Sequence, residues 1–135
     1  MDCIFCKIAK GEILCDKNYE DNHFLAFLDI NPVNFGHTLL IPKKHYENIL
    51  DAPKDILSRM LGVTSKLSDS VKKVTNCDGF EICINNGKAS GQIVPHLHLH
   101  IIPRFFNDKL RYDWPTKKYK EGEAEIIASK IRKEI

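Results

Sequence analysis

Three histidines stand within five positions, in the run His96-Leu97-His98-Leu99-His100. On a β-strand alternate side chains share a face, so this spacing places three imidazoles on one side and Leu97, Leu99 and Ile101 on the other, toward a core. Residues two apart on a strand lie about 6.5–7 Å from each other, which lets neighbouring rings engage one phosphate group without hydrogen-bonding each other directly. An unperturbed imidazole titrates near pH 6.5. At neutral pH one ring can therefore serve as a neutral nucleophile while another carries a proton toward a leaving group, the two roles that phosphoryl chemistry needs. The same His-x-His spacing also suits two ligands of a catalytic zinc ion, and spacing alone leaves both chemistries open.

Just upstream, residues 85–92 read Asn-Asn-Gly-Lys-Ala-Ser-Gly-Gln. Gly87, Ser90 and Gly91 give a backbone whose N–H groups can approach phosphate oxygens, with Asn85 and Gln92 as neutral donors; no Walker-type sequence is present. At the other end of the chain, Cys3-x-x-Cys6 offers two thiolates that chelate one metal ion but supply only half of a tetrahedral zinc site. Cys15, Cys77 and Cys83 show no ligand spacing, and five cysteines, an odd number, argue against a secreted disulfide framework.

Positioning these groups requires a scaffold. Residues 4–10 predict a short helix ended near Gly11, and residues 19–28 two short strands broken at Asp21-Asn22. Residues 29–36, punctuated by Pro32 and Gly36, form a loop leading to a strand over residues 38–41 that Pro42 ends. Apolar residues recur every three or four positions from Pro53 to Asn76, the longest helix. Two further strands, residues 80–84 and 94–102, flank the glycine-bearing loop. Residues 121–135 place Ala124, Ile127, Ala128, Ile131 and Ile135 on one helical stripe.

The 135 residues fit a single domain, with no repeat, low-complexity segment or linker. A formal net charge of +2 is too small to argue for nucleic acid or membrane as a partner. The absence of a leader-like start or of an apolar run near 20 residues leads us to expect a cytoplasmic protein. The basic pairs Lys43-Lys44 and Lys117-Lys118 read as solvated charge.

The chain resembles the histidine triad family. His96-Leu97-His98-Leu99-His100-Ile101-Ile102 matches its signature, continued by Pro103-Arg104. The likeness extends through Cys3-Ile4-Phe5-Cys6-Lys7-Ile8, residues 25–32, residues 36–45, Asn85-Asn86-Gly87 and Gly91-Gln92. The resemblance implies an α+β fold with a five-stranded antiparallel sheet, one long and several short helices, and pairing into a homodimer. It implies a purine nucleotide-binding hydrolase or transferase that cleaves a nucleoside 5′-phosphoramidate or related bond and releases AMP or GMP, with no catalytic cofactor. A dinucleoside polyphosphate hydrolase and a low-turnover nucleotide sensor are the alternatives. The third histidine sets the chain apart from the uridylyltransferase branch, which has Gln there.

By the same resemblance, His98 is the nucleophile of a nucleotidyl-histidine intermediate, His100 contacts the phosphate or leaving group, His37 supports the site, and His96 orients His98 through its backbone carbonyl. Asp29 accepts the ribose hydroxyls, Ile30 lines the base pocket, and Asn85, Gly91 and Gln92 lie by the phosphate. Ile93 departs from the pattern, occupying a position where many relatives have Ser or Thr donating to phosphate. Bacterial members that start with Cys-x-x-Cys complete a structural zinc site with residues that correspond to His45 and His96, beside Cys3 and Cys6.

Overall fold

A computed structural model of the chain describes residues 2–111 and 114–135. Its centre is a five-stranded sheet, antiparallel throughout, built from β1 (Lys17–Glu20), β2 (Phe24–Leu28), β3 (Thr38–Pro42), β4 (Gly79–Cys83) and β5 (Leu99–Arg104) in the order β1-β2-β3-β5-β4. Three helices accompany it, α1 (Ile4–Ala9), α2 (Lys54–Thr75) and α3 (Glu123–Glu134). The α+β architecture expected from the sequence is the observed one.

Helices cover both faces of the central strands, which is why β2 and β3 read as near-continuous apolar runs rather than alternating ones. On one face Phe24, Ala26, Leu40, Leu97, Leu99 and Ile101 pack with Met60, Leu67 and Val71 of α2. On the other, Leu25, Phe27, Leu39 and Ile41 pack with Cys3 and Phe5 of the α1 segment. The β1–β2 turn is closed by Asp21, whose Oδ1 accepts the N–H groups of His23 and Phe24, both at 2.7 Å. α2 stops at Asn76, which takes the left-handed conformation that ends helices.

One expectation needs correction. The last strand begins at Leu99 rather than at residue 94, so His96 and His98 precede the ladder. The cause is local: Pro95 has no N–H to give, the N–H of His96 bonds Val94 O at 2.8 Å, and that of Leu97 bonds Tyr46 O at 2.6 Å. Leu97 nevertheless stays in the core, fully buried. The C-terminal helix forms within the expected residues as α3, and none of its residues is buried.

Candidate active site

A cleft of about 420 Å³ opens on the α1 face of the sheet. Ile4, Phe5 and Ile8 form one wall, with Ile13 and Leu14 beyond them; Asp29 and Ile30 stand at one end, and Asn85, Gly91 and Ile93 at the other. His98 and His100 line it between these ends. Short α1 is thus there for its side chains: positions 4, 5 and 8 are neighbours on a helix surface and give one apolar flank. Residues 13 and 14 were not singled out by the sequence, because an exposed apolar pair in a loop carries no periodic signal.

The three histidines share the α1 face, yet their tasks are divided. His98 and His100 stack edge to face, ring centroids 5.0 Å apart, and Phe5 meets His98 at 5.1 Å. His96 turns instead toward His45, with ring centroids 4.9 Å apart. The Nδ1 of His98 lies 2.7 Å from the carbonyl oxygen of His96. A carbonyl only accepts, so Nδ1 carries the proton and Nε2, on the opposite edge of the ring, keeps a lone pair.

A second chain of bonds sets the state of His100. The backbone N–H of Val33 donates to His37 Nδ1 at 3.1 Å, which leaves the His37 proton on Nε2. That Nε2 lies 2.9 Å from Nδ1 of His100 and donates to it, so neutral His100 holds its own proton on Nε2. One backbone amide in the 29–36 loop thereby fixes the tautomers of His37 and His100; together with the His96 carbonyl it leaves His98 with an acceptor and His100 with a donor on the edges not bonded to protein. Val33 escaped sequence reasoning because its contribution is a main-chain N–H, which no residue type reveals.

Burial depresses the pKa of His37, His96, His98 and His100. His100 falls to about 4, from burial first and then from the neighbouring His98 and His37. Burial also lowers His98 and His37, partly offset at His98 by the His96 carbonyl and then by the carboxylate of Asp29, and at His37 by the carboxylates of Asp29 and Glu81. All three are therefore neutral at pH 7, as the tautomer assignments require. Asp29 reaches this network through Oδ2, 3.7 Å from His37 Nε2, while its Oδ1 caps the N–H of Asn31 at 2.9 Å.

The 85–93 loop is held from within. Gln92 is buried and does not line the cleft; its Oε1 accepts the N–H of Gly87 at 2.8 Å, and its Nε2 donates to the carbonyls of Glu47 and Val94 at 2.7 and 3.1 Å. It braces the loop. Gly91, at φ +95°, ends a single 3-10 turn over Lys88–Ser90 in a conformation that favours glycine. Asn85 lines the cleft while its side-chain amide donates to the carbonyl of Ser90.

Cys3, Cys6, His45 and His96 converge at the start of α1, their ligand atoms all within 4.8 Å of one another. Nδ1 of His96 lies 3.4 Å from Sγ of Cys3 and 3.6 Å from Sγ of Cys6; Nδ1 of His45 lies 3.4 Å from Sγ of Cys6 and 3.2 Å from Nδ1 of His96. A tetrahedron built on ordinary zinc–sulfur and zinc–nitrogen bonds has edges of about 3.6 Å for S···N and about 3.3 Å for N···N. These four separations fit those edges. His96 Nε2 donates to Pro42 O at 2.8 Å, which leaves Nδ1 free to bind a metal and supplies the outer-shell bond that metal-binding histidines use.

Asp29, His37 and His100 form another group of potential ligands. Here the hydrogen bonds oppose a metal: with Val33 N–H aimed at His37 Nδ1, the His37 proton occupies Nε2, where a ligand lone pair would have to be. The Asp29–His37–His100 group is thus less suited to a metal than the Cys3 cluster, where Nδ1 of His96 keeps its lone pair.

Residues 10–107 match the HIT domain family. The chain is 36% identical to adenosine 5′-monophosphoramidase HNT1 of Candida albicans, over 98% of this chain and 91% of that one. It is 38% identical to adenylylsulfatase HINT3 of Arabidopsis thaliana, over 99% of this chain and 70% of that one. Among solved structures, a HIT family protein from Bacillus anthracis superposes with a TM-score of 0.92 at 42% identity, covering 99% of this chain and 97% of that one. A Zn-bound histidine triad family protein from Mycobacterium smegmatis gives a TM-score of 0.78 at 39% identity, covering 87% and 85%. The chain belongs to the HIT, or histidine triad, family.

Proposed function

We propose that this protein is a nucleotide hydrolase that cleaves adenosine or guanosine 5′-phosphoramidates through a nucleotidyl-histidine intermediate. The observation that carries the reading is the pair of opposite edges in one cleft, a lone pair on His98 Nε2 beside an N–H on His100 Nε2. The likeness to relatives named as a phosphoramidase and an adenylylsulfatase supports the same class.

The nucleotide lies with its ribose hydroxyls on Asp29, its base between Ile30 and the α1 wall, and its phosphate by Gly91 and Asn85. His98 Nε2 attacks the α-phosphorus, the bond from phosphorus to the leaving nitrogen breaks, and that nitrogen departs as an amine after taking a proton from water. His98 then carries a positive charge, which the carbonyl of His96 stabilises through the Nδ1–H bond. His100 is neutral, so its Nε2–H donates a hydrogen bond to the reacting group rather than surrendering a proton. A water molecule next attacks phosphorus as the His98–phosphorus bond breaks; its oxygen stays on phosphorus, its proton neutralises the hydroxide left by the first step, and nucleoside monophosphate leaves.

Zinc on Cys3, Cys6, His45 and His96 is structural in this account. Bound there it supplies a crosslink that ties α1, and with it the apolar wall, to the residue whose carbonyl orients His98. The chain works as a single histidine triad domain in a homodimer, in the cytoplasm. The second copy is favoured by α3, where Ile126, Ile127 and Ile131 are exposed, and by edge strand β4, with Phe80 and Ile82 half exposed.

AMP release from adenosine 5′-phosphoramidate by wild type and His98→Ala, each with and without chelator, tests the reading. Chelator-resistant release lost in His98→Ala supports it. Release abolished by chelator and restored by metal would transfer the chemistry to a metal, and AMP binding without release would leave a sensor.

A further inference from the structure

The loop that brings the Val33 N–H to His37 is not held by apolar packing of its own. Ile30, Val33 and Phe35 stand exposed, and the β3–β5 ladder ends at the pair Thr38 and Ile101. Asn34 takes over there. Its carbonyl accepts the His37 N–H at 3.0 Å, and its side-chain amide donates to Pro103 O at 2.8 Å and to Asp108 Oδ2 at 3.2 Å. Pro103 is buried, so its carbonyl, past the end of that ladder, needs a donor that β3 does not supply. Asp108 in turn accepts from Arg104 Nε at 2.7 Å and Nη2 at 3.1 Å, and from the N–H groups of Phe105 and Leu110, both at 3.0 Å. The Arg104 guanidinium, with the Phe105 N–H next, holds that carboxyl well below the usual carboxylate range, so it stays ionised at any working pH. Arg104 lies on β5 four residues after His100 and on the same face. The contacts therefore close a ring, from β5 through Arg104, Asp108, Asn34 and Val33 to His37, and back to β5 at His100.

We propose that Asn34, held by Asp108 and Arg104, is a positioning residue for the His37–His100 pair: it sets where the Val33 N–H points, and so which nitrogen of each ring carries the proton. For its effect on rate, the inference rests on the hydrolase reading above. Asn34, Arg104 and Asp108 do not line the cleft, so they act through His37 rather than on the nucleotide. Alanine at position 34 leaves Pro103 O and Asp108 without this donor and lets the loop turn the Val33 N–H away from His37 Nδ1. The His37 proton then divides between its two nitrogens, and His100 Nδ1 meets a donor for only part of the time. His98 is untouched, because its tautomer is set by the His96 carbonyl on another segment.

Imidazole nitrogen NMR shifts of the isotope-labelled full chain read the tautomers directly, without turnover. Wild type should show His37 and His100 each protonated on Nε2 and His98 on Nδ1. In Asn34→Ala the two nitrogen shifts of His37 and of His100 should draw together, while those of His98 stay in place. Asp108→Asn, which keeps the side-chain shape and removes the charge that holds Arg104, should give the same signature. Unchanged tautomers at His37 and His100 in either variant, or an equal disturbance at His98, overturn the positioning role. In kinetics with adenosine 5′-phosphoramidate, a neutral hydrogen bond is worth roughly two- to twelvefold, so kcat of Asn34→Ala should fall by that factor with KM moving less than about twofold. Asn34→Ala/His37→Ala should be no more than about twofold slower than His37→Ala alone, and additive losses overturn the role. Wild type that releases no AMP, with the tautomer signature present, sinks the hydrolase reading alone; release without the signature sinks the positioning role alone.

Discussion

Replacing His37 by alanine removes the donor that holds His100 in its Nε2–H form. His37 is 3% exposed and touches no solvent-facing edge of the reaction, so in this account it is a positioning residue that acts through His100 Nδ1, 2.9 Å away. Leaving a buried acceptor without its donor costs about 1–3 kcal/mol, which corresponds to roughly a 5- to 150-fold fall in kcat if the loss is felt where His100 meets the reacting group. His37→Gln, whose amide both accepts and donates, should recover activity to within about fivefold of wild type. The decisive comparison is the double variant His37→Ala/His100→Ala: because one residue works through the other, it should be no more than about twofold slower than His100→Ala alone. The pH profile adds a sign. With the pKa of His100 at about 4, below the ordinary 6.5, its contribution to kcat/KM should stay level from pH 8 to about 5 and fall through about pH 4, as a proton arriving at Nδ1 confronts the His37 N–H. Additive losses in the double variant, measured by AMP release in the same buffer series, would refute the relay.

Three other outcomes follow from different parts of the molecule. Chelation of zinc-loaded protein should lower Tm by about 10 °C or more while AMP release at 20 °C persists with a raised KM, because α1 loosens but His98 and His100 remain; calorimetry and kinetics on the same sample check both. Gly36 sits at φ +99°, and a Cβ there would lie 2.6 Å from Thr75 Cγ2, so Gly36→Ala should destabilise by about 1–3 kcal/mol in urea unfolding. Ile127→Asp with Ile131→Asp should convert a dimer to a monomer by analytical ultracentrifugation, since these side chains stand exposed on α3, a helix none of whose residues is buried.

The parts of this fold legible in the sequence were those with a period. The long helix announced itself in residues 56–74, and the apolar runs around Leu25 and Leu40 marked strands buried on two sides. The convergence of Cys3, Cys6, His45 and His96 came from family likeness, since no spacing rule links position 6 to positions 45 and 96. The start of β5 was misplaced because alternation continues through residues 94–98 while the backbone partners change to Tyr46 and Val94. Gln92 was assigned by its chemistry as a donor, but its burial reveals a loop brace that composition does not encode. The role of Val33 was invisible for a deeper reason: the group that acts is common to every residue except proline.

The account stands on His98 Nε2 becoming covalently attached to phosphorus. Wild-type protein mixed with excess adenosine 5′-phosphoramidate, quenched in base within milliseconds to preserve the acid-labile nitrogen–phosphorus bond, and digested for mass spectrometry should show one adenylyl group, located on His98. His98→Ala should show none and release no AMP. An adenylyl group on another residue, or AMP release by His98→Ala at the wild-type rate, would contradict the nucleophile assigned here.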